Sequence, residues 1–365
     1  MYILLISALP PPIGGIARWT EQWVINGLQD GHQFKLINSA ICGKRKIFEP
    51  SKFSWQEIRR IFSIFSMLLF HLIFYRPDVI HFNISVANKG VIRDFFYVFL
   101  IKLFKIKLVV QYHGDLNRLY LANAFFGLSI FFTKKIILFS NANLFLNTQS
   151  LKLAKELIKD KVRQKHFYIL PNFIDEKVFQ YQAKFNWEAN HRLKTVFIGA
   201  ITAEKGCREL IELARIKTSV DIFMIGELKP DLNLNLDLPR NIHILGYLDH
   251  ESLLKKISDM DCLIFPSYFE GFPNAVLESM AVGLPVIATR VGAIADMIDA
   301  GKGGFIVEPK TIGSLVEALE RLENQHDLVK NMGEYNRKKC YDCYRYSRVI
   351  IHLVRIYLDL NKKQT

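Results

Sequence analysis

The run Cys262-Leu-Ile-Phe265-Pro-Ser-Tyr-Phe-Glu270-Gly271-Phe272-Pro273-Asn274-Ala-Val-Leu-Glu278-Ser-Met-Ala-Val-Gly283-Leu-Pro285-Val-Ile-Ala288 holds a complete strand–helix–strand unit. Cys262–Phe265 and Pro285–Ala288 are short and continuously apolar, the pattern of strands covered on both faces. Pro273 and Asn274 open a short helix, Gly283 closes it and Pro285 prevents its continuation. Glu270 and Gly271 fall in the loop ahead of that helix, and Glu278 falls in its second turn.

The same alternation extends outward in both directions. Earlier strands are predicted at Tyr2–Ser7, Phe34–Asn38, Val79–Phe82, Lys107–Tyr112 and Leu144–Asn147. Later ones are Thr195–Ile198, Asp221–Ile225, Ile242–Leu245 and Gly304–Val307. Helices are predicted at Arg18–Asp30, Cys207–Lys217, Glu251–Ser258, Asn274–Val282, Ile312–Glu323 and Asp327–Lys339, with an amphipathic one at Ser347–Leu360. Alternating β and α of these lengths imply parallel sheets with helices on both faces. Eleven strands exceed one compact doubly wound sheet, and the turn-rich Leu170–Phe179, with Pro171-Asn172 and Asp175, divides them. The expectation is an α/β chain of two Rossmann-like doubly wound domains, 1–170 and 171–344, facing an interdomain cleft, with ligands in loops that follow strands.

Composition narrows the classes further. A chain of 365 residues, 50% hydrophobic and 23% charged, is too apolar for a disordered protein. Five cysteines, at 42, 207, 262, 340 and 343, are too few and scattered for a disulfide-stapled fold, so a reducing cytoplasm is expected. The formal charge of +13 lies wholly in residues 1–180, with 24 Lys/Arg against 11 Asp/Glu; residues 181–365 balance at 24 each. Such asymmetry points to an anionic partner for the first half. Tyr2–Leu9 lacks a basic flank and runs into a Pro-rich turn, so it reads as a strand rather than a targeting segment. Ile61–Tyr75 falls short of the ~20 residues of a bilayer span. It joins Asp94–Val110 and Phe125–Phe139, where aromatic residues interleave with Lys102, Lys105, Lys107, Lys134 and Lys135, as a set suited to a membrane interface.

Three loops after strands carry candidate chemistry. In Pro10–Arg18, Gly14-Gly15 permit close backbone approach and lead into a helix whose free amides and dipole suit an anion, with Arg18 nearby. The loop lacks the G-x-G-x-x-G spacing of a dinucleotide site. In Gly199–Gly206, Lys205 offers a point charge for a diphosphate beside a helix start. In the third loop, the backbone from Gly271 to Asn274, with N–H donors at Gly271, Phe272 and Asn274 but none at Pro273, is flanked by two glutamates, which repel phosphate and must face neutral hydroxyls.

Glu270 and Glu278, separated by seven residues, resemble the E-x7-E signature of family 4 glycosyltransferases, retaining enzymes of the GT-B fold. Gly14-Gly15, His113-Gly114, Pro171-Asn172, Gly199 with Glu204-Lys205-Gly206, Gly246-Tyr247 and Val291-Gly292 follow in the family's order. The similarity spans nearly the whole chain and is strongest over 195–310. Ala200 stands where the family often has Arg, Phe173 where Gly follows Pro-Asn, and Asp296 where Glu is common. Ala200 removes one of two expected diphosphate cations and leaves Lys205 to act alone or with Arg18.

The resemblance implies a nucleotide diphosphate sugar held by the second domain, with no cofactor and no metal. Glu278 would bind the ribose, and the backbone of Gly246, Tyr247 and Leu248 would lie near the base. Gly199, Lys205 and the amides from Gly271 to Asn274 would hold the diphosphate, and Glu270 the transferred sugar. His113 would lie near that sugar, and Gly14-Gly15 would complete the phosphate cradle. Helix 345–365 would pack back onto the first domain. Together with the basic first half, this implies a retaining hexosyltransferase acting on a lipid-linked or saccharide acceptor in bacterial surface-polysaccharide biosynthesis (O-antigen, capsule or exopolysaccharide), peripheral to the inner face of the plasma membrane.

Other motifs are weaker. Asp259-Met260-Asp261 has D-x-D spacing but precedes a strand, whereas a metal site would follow one. Cys340 and Cys343 form a single C-x-x-C without a second ligand pair. His81 and His352 read as structural or surface residues. A GT-B sugar-nucleotide epimerase and a non-enzymatic nucleic-acid-binding protein are the competing functions; no helix-turn-helix, RNP or zinc-finger pattern supports the second.

Overall fold

A computed structural model describes the chain apart from residues 12–14, 28–31, 41–54, 85, 87, 118–125, 186, 188–190, 231–237 and 363–365. Contacts divide it into two compact units, Met1–Asn172 with Val349–Thr365, and Phe173–Arg348.

In the first unit the order is β1 (Tyr2–Ser7), α1 (Gly15–Asn26), β2 (Gln33–Asn38), α2 (Trp55–Phe70), β3 (Val79–Ile84) and α3 (Asn88–Leu103). There follow β4 (Lys107–Tyr112), α4 (Phe126–Phe139), β5 (Ala142–Phe145), α5 (Thr148–Ile158) and β6 (His166–Ile169). Among the described residues these make one parallel six-stranded sheet in the order β2-β1-β3-β4-β5-β6. Right-handed crossovers in that order place α1 on one face and α2 to α5 on the other. Leu4, Ile6, Ile80, Phe82, Leu108 and Val110 pack into the second layer, against residues such as Ile64, Leu68, Val98, Ile101 and Ile136.

Alternate side chains serve the opposite face, where polar groups form a buried relay. Ser7 and Thr20 share a hydrogen bond of 2.5 Å, Asn83 Nδ2 donates to Ser7 Oγ at 2.8 Å, and His81 Nε2 lies 2.9 Å from Asn83 Oδ1. His81 Nδ1 meets the hydroxyl of Tyr357 on α12 (Tyr346–Lys362), the last helix of the chain. Lys107 Nζ donates to the Leu360 carbonyl, so the end of that helix is tied to β4 as well.

In the second unit the order is β7 (Lys194–Ile198), α6 (Cys207–Ile216), β8 (Asp221–Ile225), β9 (Ile242–Gly246), α7 (His250–Ser258) and β10 (Cys262–Phe265). It continues with α8 (Asn274–Val282), β11 (Val286–Thr289), α9 (Ile294–Met297), β12 (Gly304–Val307), α10 (Ile312–Glu323) and α11 (His326–Tyr344). The sheet, again of six parallel strands, runs β12-β11-β10-β7-β8-β9. The chain moves from β7 outward to β9 and then returns to the other side of β7. The order therefore reverses between β7 and β10, and at such a point the neighbouring loops part and open a crevice at the strands' carboxyl ends.

Several sequence expectations need correction. β6 is not among the expected strands: it is a short edge strand of four residues whose side chains are only partly buried. The strand expected at Leu144–Asn147 lies at Ala142–Phe145, because Asn147 is the N-cap of α5 and accepts from Ser150 N at 2.7 Å. The apolar segment thought too short for a bilayer belongs to a longer helix. α2 runs on through a π-helical turn, His71–Tyr75, giving Trp55–Tyr75 a span-like length of 21 residues. Lys107 begins β4 as expected, but its side chain, grouped with the interface lysines, is engaged by the Leu360 carbonyl. The second aspartate of the D-x-D pattern is structural: Asp261 Oδ1 accepts from Trp187 Nε1 (3.2 Å), and its Oδ2 accepts from the Lys194 amide (2.7 Å) and sits 2.8 Å from His191 Nε2. The end of the first predicted helix, 28–30, and Phe125 lie outside the described residues.

His81 is wholly buried, and burial lowers its pKa to about 4. The unfolded chain protonates this ring near pH 6.5, and the folded chain does so only about two units lower. Its contribution to stability is therefore complete above pH ~6.5 and is lost as pH falls toward 4. Urea unfolding should show roughly 2 kcal/mol less stability from this ring at pH 5 than at pH 7. His81→Asn should flatten that part of the profile.

Candidate active site

The loops that follow β7, β10 and β11 are locked to one another at the carboxyl ends of these strands. Gly206, with φ +75°, caps α6 so close to Pro266 that an added Cβ would lie 2.2 Å from its carbonyl oxygen. The Tyr268 amide donates to the Glu204 carbonyl at 3.0 Å, joining the loop after β7 to the loop after β10. On the far side of β10, Gly292 (φ +54°) lies under Glu270, where a Cβ would fall 2.2 Å from the Glu270 carbonyl oxygen. The Ala293 amide donates to the Gly271 carbonyl at 2.9 Å. Thr289 Oγ1 donates to the Ser267 carbonyl. The Glu270–Gly271 turn is thus held by the loops of both neighbouring strands.

This bracing brings two of the expected residues together. Lys205 Nζ is 2.5 Å from Glu270 Oε1, with both side chains largely buried. The ammonium has three donors, so a pair with one carboxylate oxygen fixes its position and leaves donors for an anion. Gly271, Phe272 and Pro273 lead from this pair into α8, whose first residue is Asn274. Pro273 provides no side-chain cap and the first turn contains no acid, so the leading amides of α8 present positive potential.

Glu278 is 8% exposed, the degree of burial at which an ionised carboxylate requires partners. His250 Nε2 lies 3.0 Å from its Oε1. Sequence reasoning missed His250. Its only sequence signal was its place directly after Asp249, which caps α7 by accepting from Ser252 N at 3.0 Å. Gly246 (φ +69°) ends β9 and its carbonyl accepts from the Gly226 amide at 2.8 Å. Tyr247 beyond it is exposed and Leu248 is half-buried. Gly199 needs a partner glycine that was also missed: a Cβ on Gly226 would come 1.8 Å from the Gly199 carbonyl oxygen.

The remaining expected residues belong to the first unit. Gly15 is the first residue of α1 and an added Cβ there would meet open space, so crowding does not demand glycine. Arg18 is half-buried on the same helix. Gly14 lies outside the described residues. His113 follows β4 with Nε2 buried and without a hydrogen-bond partner among the described residues, and the Trp19 ring stands edge-on to it at 5.2 Å. Burial, with a smaller contribution from His81, lowers its pKa to about 3, so the ring is neutral near pH 7.

Comparison with known proteins adds four findings. Residues 180–339 match the family described as glycosyl transferases group 1. The chain is 30% identical over 221 residues to N-acetyl-alpha-D-glucosaminyl L-malate synthase of Bacillus anthracis, covering 56% of each chain. It is 27% identical over 234 residues to the capsular polysaccharide biosynthesis glycosyltransferase CapM of Staphylococcus aureus, covering 58% of this chain and 60% of that protein. The matches thus span less than two thirds of these relatives. Among solved structures, sucrose-phosphate synthase from Thermosynechococcus elongatus superposes over 100% of both chains with a TM-score of 0.78 and 15% identity. At that identity the likeness bears on architecture alone, and the architecture is GT-B.

Two substitutions test this geometry. Gly292→Ala forces a side chain into both a left-handed backbone and the Glu270 carbonyl, and should lower unfolding free energy by about 1–3 kcal/mol. His250→Ala leaves the Glu278 carboxylate without its ring partner, at a cost of about 1–3 kcal/mol. Adding Glu278→Gln in that background should cost less than the same change in the native chain, as a double-mutant cycle in urea would show.

Proposed function

We propose that the chain is a retaining glycosyltransferase that transfers a hexose from a nucleotide diphosphate sugar to a lipid-linked or saccharide acceptor in surface-polysaccharide synthesis. The observation that supports this best is the Lys205–Glu270 ion pair at the amide-rich start of α8, with buried Glu278 one turn further along that helix. The family match over 180–339 covers these three residues, and the names of the two relatives suggest the same chemistry.

In this reading Glu278, oriented by His250, accepts the ribose hydroxyls. The backbone at Gly246, Tyr247 and Leu248 borders the base. Lys205, Gly199 and the amides from Gly271 to Asn274 bind the diphosphate, and Glu270 binds hydroxyls of the transferred sugar. Gly14, Gly15 and Arg18 are assigned to the phosphate end, and neutral His113 to a sugar hydroxyl. The bond between the anomeric carbon and the diphosphate oxygen breaks, leaving positive charge on carbon and negative charge on the diphosphate. Lys205 and the helix amides are in place before that charge develops, so little reorganisation is needed. The acceptor oxygen bonds to the anomeric carbon on the face the diphosphate leaves, and its proton passes to a leaving-phosphate oxygen. No protein nucleophile is assigned, because Glu270 is committed to Lys205 and to hydroxyls, and no metal is called upon. The cationic first half would serve the acceptor's phosphate and an anionic membrane at the cytoplasmic face.

A thermal-shift panel of UDP-, GDP- and ADP-sugars tests the assignment, since a ligand of the folded state raises Tm. One member should stabilise the chain; no response to any would overturn the reading. Glu278→Ala should weaken binding of that donor by about 1–3 kcal/mol. Lys205→Ala should reduce kcat by about a hundredfold or more, as loss of one positioned electrostatic donor does elsewhere. Lys205→Arg should restore part of that loss.

A further inference from the structure

The helix layer formed by α2, α3 and α4 carries an apolar surface that the sheet does not use. α2 and its π-turn bury Ile64, Leu68 and Leu72 against the sheet. The opposite stripe leaves Trp55, Phe62, Phe70, Ile73 and Phe74 in solvent, with Phe62 65% and Phe74 70% exposed. α3 adds Phe96, Phe99 and Leu103, spaced as one helical stripe, and α4 adds Leu128 and Phe131. The helices are packed side by side: Tyr97 Oη donates to the Ile61 carbonyl at 3.1 Å between α3 and α2, and Phe95 and Phe132 meet at 4.8 Å between α3 and α4. Three stripes on adjacent helices of one layer make a continuous patch, and a surface of this kind marks an interaction site.

Charge identifies the partner. Glu57 and Asp94 are the only acids in these helices. Glu57 is bound to Arg60 at 2.6 Å and Asp94 to Arg93 at 2.6 Å, with the Asp94 side chain 1% exposed. The outward charges are cationic: Arg59, Lys102 and Lys134 are exposed, Lys105 follows α3, and Lys135 lies over the Phe131 ring at 5.4 Å. A second copy of this surface would set cations against cations, whereas an anionic lipid leaflet complements both the charges and the aromatic side chains.

We infer that the outer face of α2–α4 is a monotopic membrane-docking surface, with its aromatic side chains in the headgroup and upper acyl region of an anionic leaflet. Trp55–Tyr75 has the length to cross a bilayer, but its inner stripe is part of the core, so it lies along the membrane plane. This inference deepens the acceptor side of the function proposed above and rests on it only for its biological purpose; the docking surface stands on the first unit's geometry.

Flotation of the full chain with vesicles of phosphatidylglycerol and phosphatidylcholine tests it, with pure phosphatidylcholine as a second arm. The chain should float with the anionic vesicles, less so at high salt, and at most weakly with neutral ones. Phe62→Ser/Phe70→Ser/Phe74→Ser should reduce partitioning at least tenfold with an unchanged melting temperature, since these side chains support no core packing. Lys102→Gln/Lys105→Gln/Lys134→Gln/Lys135→Gln should reduce it roughly fivefold per charge on anionic vesicles only. Flotation that none of these changes affects, or none at all, overturns the inference. So does a dimer in sedimentation that the Phe variants dissociate while vesicles leave the chain unbound. Donor thermal shifts measured on the same variants should be unchanged, so a failed docking surface and a failed donor site give different results.

Discussion

The contact on which the C-terminal unit depends is that between Lys205 and Glu270 at 2.5 Å. A lysine in a loop ordinarily samples many rotamers in water, and a glutamate beside a helix start ordinarily points outward. Here the Gly206 cap and the Tyr268–Glu204 hydrogen bond fix the lysine's backbone, while Gly292 and the Ala293–Gly271 hydrogen bond fix the glutamate's. The conformational entropy of holding two long side chains is therefore lost on folding rather than on binding. Glycine is required at 206 and 292 because each combines a left-handed backbone with a carbonyl where a Cβ would sit.

Glu278 illustrates the complementary constraint. A carboxylate 8% exposed in an otherwise apolar helix is unfavourable unless its oxygens are engaged. Its bond to His250 supplies one such partner, and α7 supplies the ring because the Asp249 cap sets where that helix begins. Two acidic side chains of one short segment are thus held by different means, one by a cation from the β7 loop and one by an imidazole from α7. The Lys205 ammonium offsets the charge of Glu270, whereas His250 fixes the orientation of Glu278.

Much of this was legible in the sequence where local rules and burial agree. Cys262–Phe265 and Asn274–Val282 fall where the apolar run, Pro273 and Gly283 place them, because no tertiary contact competes there. The two-sheet division followed from strand number alone. What stayed hidden depends on partners distant in sequence. Nothing in residues 246–252 announces that His250 will reach a glutamate 28 positions later. Gly226 looks like any turn glycine until Gly199 is placed against it. β6 is a four-residue edge strand that runs straight into the Leu170-Pro171 turn, so its short apolar run merges with the connection, and the capping bond from Ser150 to Asn147 is invisible in the sequence without the helix. Trp55–Tyr75 was underestimated because polar residues at its start interrupt the apolar run but not the helix.

The two faces of the first sheet are packed by different chemistry. On the α1 face, Ser7, Thr20, Asn83, His81 and Tyr357 form a buried hydrogen-bonded relay, and a relay of this kind specifies one arrangement because any shift leaves a polar group unpaired. It adjoins Trp19, whose ring also touches His113, so a residue assigned to substrate sits beside the most tightly specified part of the unit. On the α2–α4 face the packing is mainly aliphatic and aromatic, with Arg60, Asp94, Ser129 and Thr133 buried among the apolar side chains. A surface that meets a fluid partner needs area and charge rather than fixed geometry. The excess of lysine and arginine over aspartate and glutamate lies in residues 1–180, whereas residues 181–365 balance at 24 each.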